Sequence, residues 1–119
     1  MASAYEIPNL RFSGESGAAI ARRRFVKINS NGEVVQAAAG DQPVGVSSQP
    51  CTAAGQVAEI YDGIVMVEAG GAVTAGTQVM SDANGKAVTY SNSPATNVVA
   101  GYAITGASAA GELISVKVY

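Results

Sequence analysis

Short apolar runs separated by turn residues recur along the chain from Phe25 to its last residue. Residues 25–28 alternate between apolar and polar side chains, residues 34–37 resume the pattern, and Asn31-Gly32 lies between the two runs. An Asn-Gly pair suits the positive φ angles of a two-residue type I′ turn. The pattern therefore predicts a β-hairpin at this point of the chain.

The same arrangement predicts two further hairpins. Residues 56–61 and 64–68 are separated only by an Asp-Gly pair, and residues 77–80 and 87–90 flank a loop centred on an Asn-Gly pair. Turns at a spacing of about ten residues are typical of β-sandwiches and β-barrels. We expect loops rather than helices to join these strands.

Two closing strands are predicted at residues 97–104 and 112–119. The second strand places three branched apolar side chains on one face, Ile114, Val116 and Val118, and polar side chains on the other. Such alternation is typical of a half-buried strand. Composition agrees, because 22 Ala and 15 Val stand against only 2 Leu, a balance that favours strands over helices. The predicted fold class is all-β.

Residues 1–24 have no sustained period and predict an extended N-terminal arm, followed by a β-barrel-like domain over residues 25–119. The arm carries scattered large side chains that could cover the open end of its own barrel. Alternatively, they could add a strand to a neighbouring protein or fill pockets on it. Basic residues at the end of the arm form either a solvated boundary or a docking patch for an acidic protein surface.

Two segments of the chain resemble each other. Residues 26–35 align with residues 79–88, each around an Asn-Gly pair, and Gly45 and Gly101 follow at similar distances. Each copy then reaches an Ala-Gly pair, Ala54-Gly55 and Ala110-Gly111. Either two similar lobes form one barrel, or the similarity reflects hairpins that happen to share their turn residues.

Composition excludes several kinds of site. Zinc sites need clustered Cys or His and catalytic triads need an imidazole, but the chain has no His and only Cys51, which we interpret as a small, reduced and half-buried residue. A net charge of −2 argues against nucleic acid as a partner. The sequence lacks an apolar run long enough to cross a membrane, so no membrane partner is expected. We also expect no enzymatic activity, no metal and no cofactor.

Several short motifs resemble the capsid cement, or head decoration, proteins of tailed bacteriophages. The resemblance covers about residues 20–119, and its motifs are Gly45-Val46, Ala54–Val57, Val73–Gly76 and Ala110–Val116. Most of these are turn and core positions. They therefore indicate the fold first and the family second.

The resemblance implies a small β-barrel or tulip-like β domain that forms a homotrimer. Such a protein would bind the major capsid protein on the outer surface of the virion head, between capsomers, and brace the shell. A charged fraction of only 13% suits a surface that is buried in an assembly. The residues of the arm expected to contact the capsid are Tyr5, Ile7, Leu10, Arg11, Phe12, Arg22, Arg23 and Arg24.

The alternative function is a receptor- or carbohydrate-binding β module from a phage fibre or a surface layer. Such modules stack sugars on exposed aromatic rings. Beyond the arm the chain offers four tyrosines for this purpose and no Trp: Tyr61, Tyr90, Tyr102 and Tyr119.

Overall fold

A computed structural model describes residues 2–119, so that Met1, the first residue of the predicted arm, lies outside the described residues. These residues form nine β-strands and no helix. The all-β prediction is therefore confirmed. The strands are β1 (Ile7–Glu15), β2 (Phe25–Ile28), β3 (Val34–Gln36), β4 (Gly45–Ser47), β5 (Val57–Glu68), β6 (Gln78–Ser81), β7 (Ala87–Thr89), β8 (Gly101–Ala103) and β9 (Leu113–Val118).

All nine strands belong to one antiparallel sheet that curls into a half-barrel. The strand order is β3-β2-β4-β5-β9-β8-β6-β7. Strand β5 is at the centre, because β4 and β9 pair successively along one of its edges and β1 pairs along the other. Ile64 shows this arrangement directly, since it pairs with Ile7 of β1 and with Lys117 of β9.

Two predicted hairpins are confirmed, β2–β3 and β6–β7. The predicted type I′ turn of the first hairpin is wrong, because Gly32 has a φ of 77° whereas Asn31 does not have a positive φ. Instead, Gly32 N–H donates to the Asn29 carbonyl and Asn29 N–H donates to the Glu33 carbonyl. This is a three-residue loop in which only the glycine needs the left-handed conformation.

The predicted hairpin around Asp62-Gly63 is wrong. Both flanking runs belong to the single twelve-residue strand β5, which has partners along both edges. Opposite Gly63, strand β1 contains an extra residue, Asn9, which forms a β-bulge. A Cβ on Gly63 would lie 2.6 Å from Asn9 N. The glycine therefore accommodates a bulge, not a chain reversal.

The extended N-terminal arm is not confirmed as a separate segment. Residues 7–15 form β1 and pair with the first half of β5, from Ile7 opposite Ile64 to Glu15 opposite Val57. The division of the chain at residue 24 stays a prediction.

The internal repeat is present in the structure. Gly32 and Gly85 have φ angles of 77° and 76° in equivalent hairpin loops. Gly45 faces Val26, and Gly101 faces Val79, at the same positions of the β2–β4 and β6–β8 pairs. We define repeat 1 as residues 11–61 and repeat 2 as residues 64–117.

The equivalence extends to β1. Ser16, just after β1, bridges Val34 in parallel, and Ala69, just after β5, bridges Ala87 in the same way. Strand β1 in repeat 1 therefore corresponds to the second half of β5 in repeat 2. Strand β5 serves both repeats, since its first half ends repeat 1 and its second half begins repeat 2.

Each repeat has its own hydrophobic cluster. In repeat 1 the buried members are Ile20, Val26, Val34, Cys51, Ala58 and Ile60. Their equivalents in repeat 2 all belong to the second cluster: Val73, Val79, Ala87, Ala107, Ile114 and Val116. Cys51 is thus a core residue at the position of Ala107, and its thiol donates to the Val57 carbonyl.

Candidate functional site

The exposed apolar side chains of β1 form the first part of the predicted contact surface. Ile7 is 62% exposed and Leu10 is 52% exposed. Both lie beside the bulge at Asn9, where the pairing register of β1 shifts. The bulge thus interrupts the regular alternation of β1 at the point where its two largest exposed apolar side chains lie.

The two remaining predicted residues of β1 have different environments. Phe12 is half-buried and packs against the cluster of repeat 1. Arg11 is exposed, and its guanidinium lies 5.7 Å from the centre of the Tyr61 ring on the neighbouring strand. Arg11, Ser13, Glu59 and Tyr61 line a shallow groove on the outer face of the β1–β5 ladder. Phe12 thus packs mainly within the molecule, whereas Arg11 is exposed.

The segment before β1 is bound to repeat 2 through the backbone of Tyr5 and the carboxylate of Glu6. Tyr5 N–H donates to Ser115 Oγ at 2.6 Å, and the same hydroxyl donates to the Tyr5 carbonyl at 2.6 Å. Glu6 accepts the Met66 N–H at 3.1 Å. Ser115 is completely buried as a result, although its place in the alternation of β9 predicted a half-exposed strand face. The Tyr5 side chain itself is 44% exposed.

The three consecutive arginines make separate contacts within the molecule. Arg23 forms a salt bridge with Glu6, and Arg24 contacts the Glu68 carboxylate at 3.5 Å and the Asn84 carbonyl at 3.1 Å. Arg22 is exposed, with Nε donating to the Ser48 carbonyl at 3.1 Å. Arg22 is therefore the member of the three whose charge is most accessible.

Glu68 links the two repeats electrostatically. Its carboxylate lies 3.5 Å from Arg24 of repeat 1 and 3.0 Å from Lys86 of repeat 2. Burial alone would raise the pKa of Glu68, but the hydrogen bond from Lys86 and the charges of Arg24 and Lys86 outweigh it. The net effect lowers the pKa of Glu68 below its ordinary value of 4.5. The carboxylate thus stabilises the contact between the repeats in its charged form.

A row of cross-strand partners extends the exposed surface beyond β1, and no local sequence pattern predicts it. Ile7, Ile64, Lys117 and Tyr102 are successive partners across β1, β5, β9 and β8. Tyr102 is 41% exposed, and Lys117 lies 5.6 Å from the ring of Tyr119. The four residues lie 110 positions apart at the extremes, so only the strand pairing could have brought them together.

The described residues contain no group of three or more side chains suited to hold a metal ion. Within residues 2–119 there is also no helix long and apolar enough to cross a membrane.

A comparison with protein families decides the family. The model of the phage cement protein family matches residues 6–118, nearly the whole chain. The chain belongs to this family. This cement-family chain is therefore a phage structural protein, and its match includes β1 as well as the segment that resembled cement proteins by its motifs.

The fold of this cement-family chain also has a solved counterpart. It is similar to the N base of the head fiber gp8.5 of bacteriophage phi29, with a TM-score of 0.73 and 19% sequence identity. The similarity covers 92% of this chain and 93% of that one. At this identity the comparison shows a shared fold. No curated protein matches the sequence.

Proposed function

We propose that the chain is a capsid cement protein that binds the major capsid protein on the outer surface of the phage head and stabilises the shell as a homotrimer. The match to the phage cement family over residues 6–118 carries this proposal. The nine-stranded sheet packs around two apolar clusters, which suits a structural role. Multiple copies on one lattice would gain affinity through effective concentration.

The contact surface that we propose combines exposed apolar and basic side chains near the amino terminus. Ile7, Leu10 and Arg11 are exposed on β1, and Tyr5 precedes them. Apolar side chains on an otherwise polar surface are typical of the centre of an interface. Phe12, Arg23 and Arg24 contribute indirectly, because they hold β1 and its neighbours in place.

Binding to undecorated heads tests this surface. We expect the double variant Ile7→Ser and Leu10→Ser to bind heads at least about tenfold more weakly in co-sedimentation, because two buried contacts are lost. Val57→Ser is the matched control, since Val57 is 71% exposed but lies at the opposite end of the β1–β5 ladder. Equal binding by the double variant and the control would contradict the proposed surface.

Arg22 tests the electrostatic part of the proposal. Arg22→Glu reverses an accessible charge, whereas the same change at Arg23 or Arg24 would break an internal salt bridge. We expect Arg22→Glu to weaken binding to heads more at low salt than at high salt, because exposed charges are screened by salt. A loss that is independent of salt would assign Arg22 a role other than docking on acidic protein.

The carbohydrate-binding alternative has one structural observation in its favour. Tyr102 and Tyr119 are exposed, and both lie close to Lys117 on the same face of the sheet. A glycan array tests it with the full chain. A ligand whose binding is lost in Tyr102→Ala would support this alternative over the capsid role.

A further inference from the structure

Repeat 1 packs on repeat 2 through a surface of repeat 2 that we call surface A. It consists of the outer backbone edge of β5 at Met66 and Glu68 and of the hairpin loop at Gly85. Glu68 N–H donates to the Arg23 carbonyl at 2.9 Å, and the Gly85 carbonyl accepts the Phe25 N–H at 2.7 Å. Met66 N–H donates to Glu6. Each part of surface A of repeat 2 therefore makes a hydrogen bond to another part of the chain.

The matching surface of repeat 1, which we call surface B, supplies the other half of this contact. It consists of Arg23, Phe25 and Val46. Phe25 and Val46 are completely buried and belong to the hydrophobic cluster of repeat 2, although they lie in repeat 1. Arg23 has a φ of 61°, which brings its carbonyl to the edge of β5.

Because the repeats are equivalent, repeat 1 has its own surface A, at Ser13, Glu15 and Gly32. Ser16 N–H donates to the carbonyl of Gln56, the residue just before β5, so the amides of Ser13 and Glu15 point away from β5 by the alternation of an antiparallel strand. No strand among residues 2–119 pairs with this edge of β1.

The two hairpin glycines show the difference between the covered and the uncovered surface. A Cβ on Gly85 would lie 2.9 Å from the Phe25 carbonyl oxygen and from Gln36 Cγ, both of repeat 1. A Cβ on Gly32 would meet no atom within 4 Å. The space that repeat 1 fills beside Gly85 is open beside Gly32, although both loops have the same conformation.

Repeat 2 likewise has its own surface B, at Gly76, Gln78 and Tyr102. Gly76 has a φ of 84°, the left-handed conformation that Arg23 adopts in repeat 1. Gln78 and Tyr102 are exposed, whereas their equivalents Phe25 and Val46 are buried. The polar side chain of Gln78 suits a surface that is exposed to water in the single chain and becomes buried when copies assemble.

We propose that copies of this chain join head to tail, with surface B of repeat 2 in one copy packing on surface A of repeat 1 in the next. The contact between copies then repeats the contact inside the chain. Gln78 N–H would donate to the Gly32 carbonyl of the next copy, and its Glu15 N–H would donate to the Gly76 carbonyl. Such a heterologous interface forms a ring when its rotation closes. The inference rests on the proposed homotrimer, in which six repeats would form the ring.

Two variants, one altered on surface A and the other on surface B, test the interface. Gly32→Asn fills the open space on surface A with a residue that tolerates a positive φ, and Tyr102→Arg places a charge on surface B. We expect each variant to remain at the monomer mass of 11.9 kDa in light scattering. An equimolar mixture should form a dimer, because each variant keeps the surface that the other has lost. Wild-type chain should reach three times the monomer mass.

Gly55→Asn is the matched control. Gly55 has a φ of 83° and an open environment like that of Gly32. Its equivalent Gly111 is also open, so this position lies outside the contact between the repeats. We expect Gly55→Asn to assemble like the wild type. Circular dichroism checks folding, and Asn31→Arg replaces Gly32→Asn if the latter does not fold.

Several results would overturn the head-to-tail interface. They are a wild-type chain that stays monomeric at every concentration, a Gly32→Asn chain that assembles normally, and a mixture that stays monomeric. None of these bears on the capsid role, which is judged separately by binding to undecorated heads. A monomeric chain that binds heads would contradict the interface but support the cement function. A chain that assembles but does not bind heads would support the interface and contradict the cement function.

Discussion

Gly14 and Val34 in repeat 1 occupy the positions that Val67 and Ala87 occupy in repeat 2. The small and large residues are exchanged between the two positions. A Cβ on Gly14 would lie 2.7 Å from Val34 Cγ2, so the larger side chain of Val34 requires a glycine opposite it. Each cluster thus combines one large and one small residue at these two positions, as expected of close-packed interiors.

This exchange predicts compensation between two substitutions. Gly14→Val alone should lower the free energy of unfolding by about 2–3 kcal/mol, because it overpacks the core. Val34→Ala alone should lower it by about 2 kcal/mol through the cavity that it leaves. The double variant reproduces the pair of repeat 2, and we expect it to lose less than either single variant in urea denaturation. Additive losses would contradict the equivalence of the two sites.

Glu68 should make the stability of the fold depend on pH. Its folded pKa is lowered, so the carboxylate stabilises the fold above its unfolded pKa near 4.5, and this contribution is lost as the pH falls through the folded pKa. We expect Glu68→Gln to be less stable than the wild type by about 1 kcal/mol at pH 7. The difference should disappear once the pH falls below the lowered folded pKa of Glu68, where both states carry a protonated carboxyl group. A difference that is unchanged by acid would exclude the salt bridges as its cause.

At the scale of elements, local patterns predicted β2, β3, β6, β7, β8 and β9, because each lies in a short apolar run near a turn signal. The hairpin at Asp62-Gly63 failed, because an Asp-Gly pair suits a bulge as well as a turn. Partner strands on both edges of β5 decide between the two, and they come from distant parts of the chain.

Strand β1 was missed because Pro8, the bulge at Asn9 and Gly14 break its alternation. The internal repeat could have predicted it. When the alignment of the two hairpins is extended towards the amino terminus, residues 11–15 align with residues 64–68, a mostly apolar run. Long-range pairing, not local propensity, makes β1 a strand.

The close approach of β8 to β9 requires a glycine at position 101. A Cβ there would lie 2.5 Å from the Lys117 carbonyl oxygen, a backbone atom that cannot move away without breaking the ladder. Gly101→Ala should therefore lower the free energy of unfolding by about 3 kcal/mol. Gly71→Ala is the matched control, since a Cβ on Gly71 would meet nothing within 4 Å. Equal stability of the two variants in thermal melts would contradict the close approach.

Ser115 predicts how the segment before β1 is held. Ser115→Ala removes both hydrogen bonds to the Tyr5 backbone, and we expect a loss of about 1–2 kcal/mol with faster hydrogen exchange of the Tyr5 amide. In the control Ser108→Ala the lost hydroxyl is exposed, so stability should change by less than about 0.5 kcal/mol. An unchanged exchange rate at Tyr5 would mean that Ser115 does not hold this segment.

At the scale of the whole molecule, the sequence identified a cluster of arginines but did not predict which of them form contacts within the chain. Arg22, Arg23 and Arg24 are adjacent in sequence, yet Arg24 binds Glu68 of repeat 2, Arg23 binds Glu6 of the segment before β1, and Arg22 is exposed. Charge patterning alone could not separate these roles, because Glu6 and Glu68 lie far from the arginines along the chain. The predicted contact surface therefore contains both binding candidates and structural residues.

The proposed cement function also belongs to the scale of the assembly. One chain of 119 residues offers a small contact surface, so stabilisation of a shell would depend on many copies engaged at once. The head-to-tail interface would link the copies to one another through surfaces that each chain already contains.

The most direct test is an electron cryomicroscopy comparison of phage heads that lack this gene product, before and after addition of the purified chain. The cement function predicts new density on the outer surface, between capsid subunits, that fits the nine-stranded half-barrel with β1 towards the shell. Heads that show no added density at saturating protein would contradict the account.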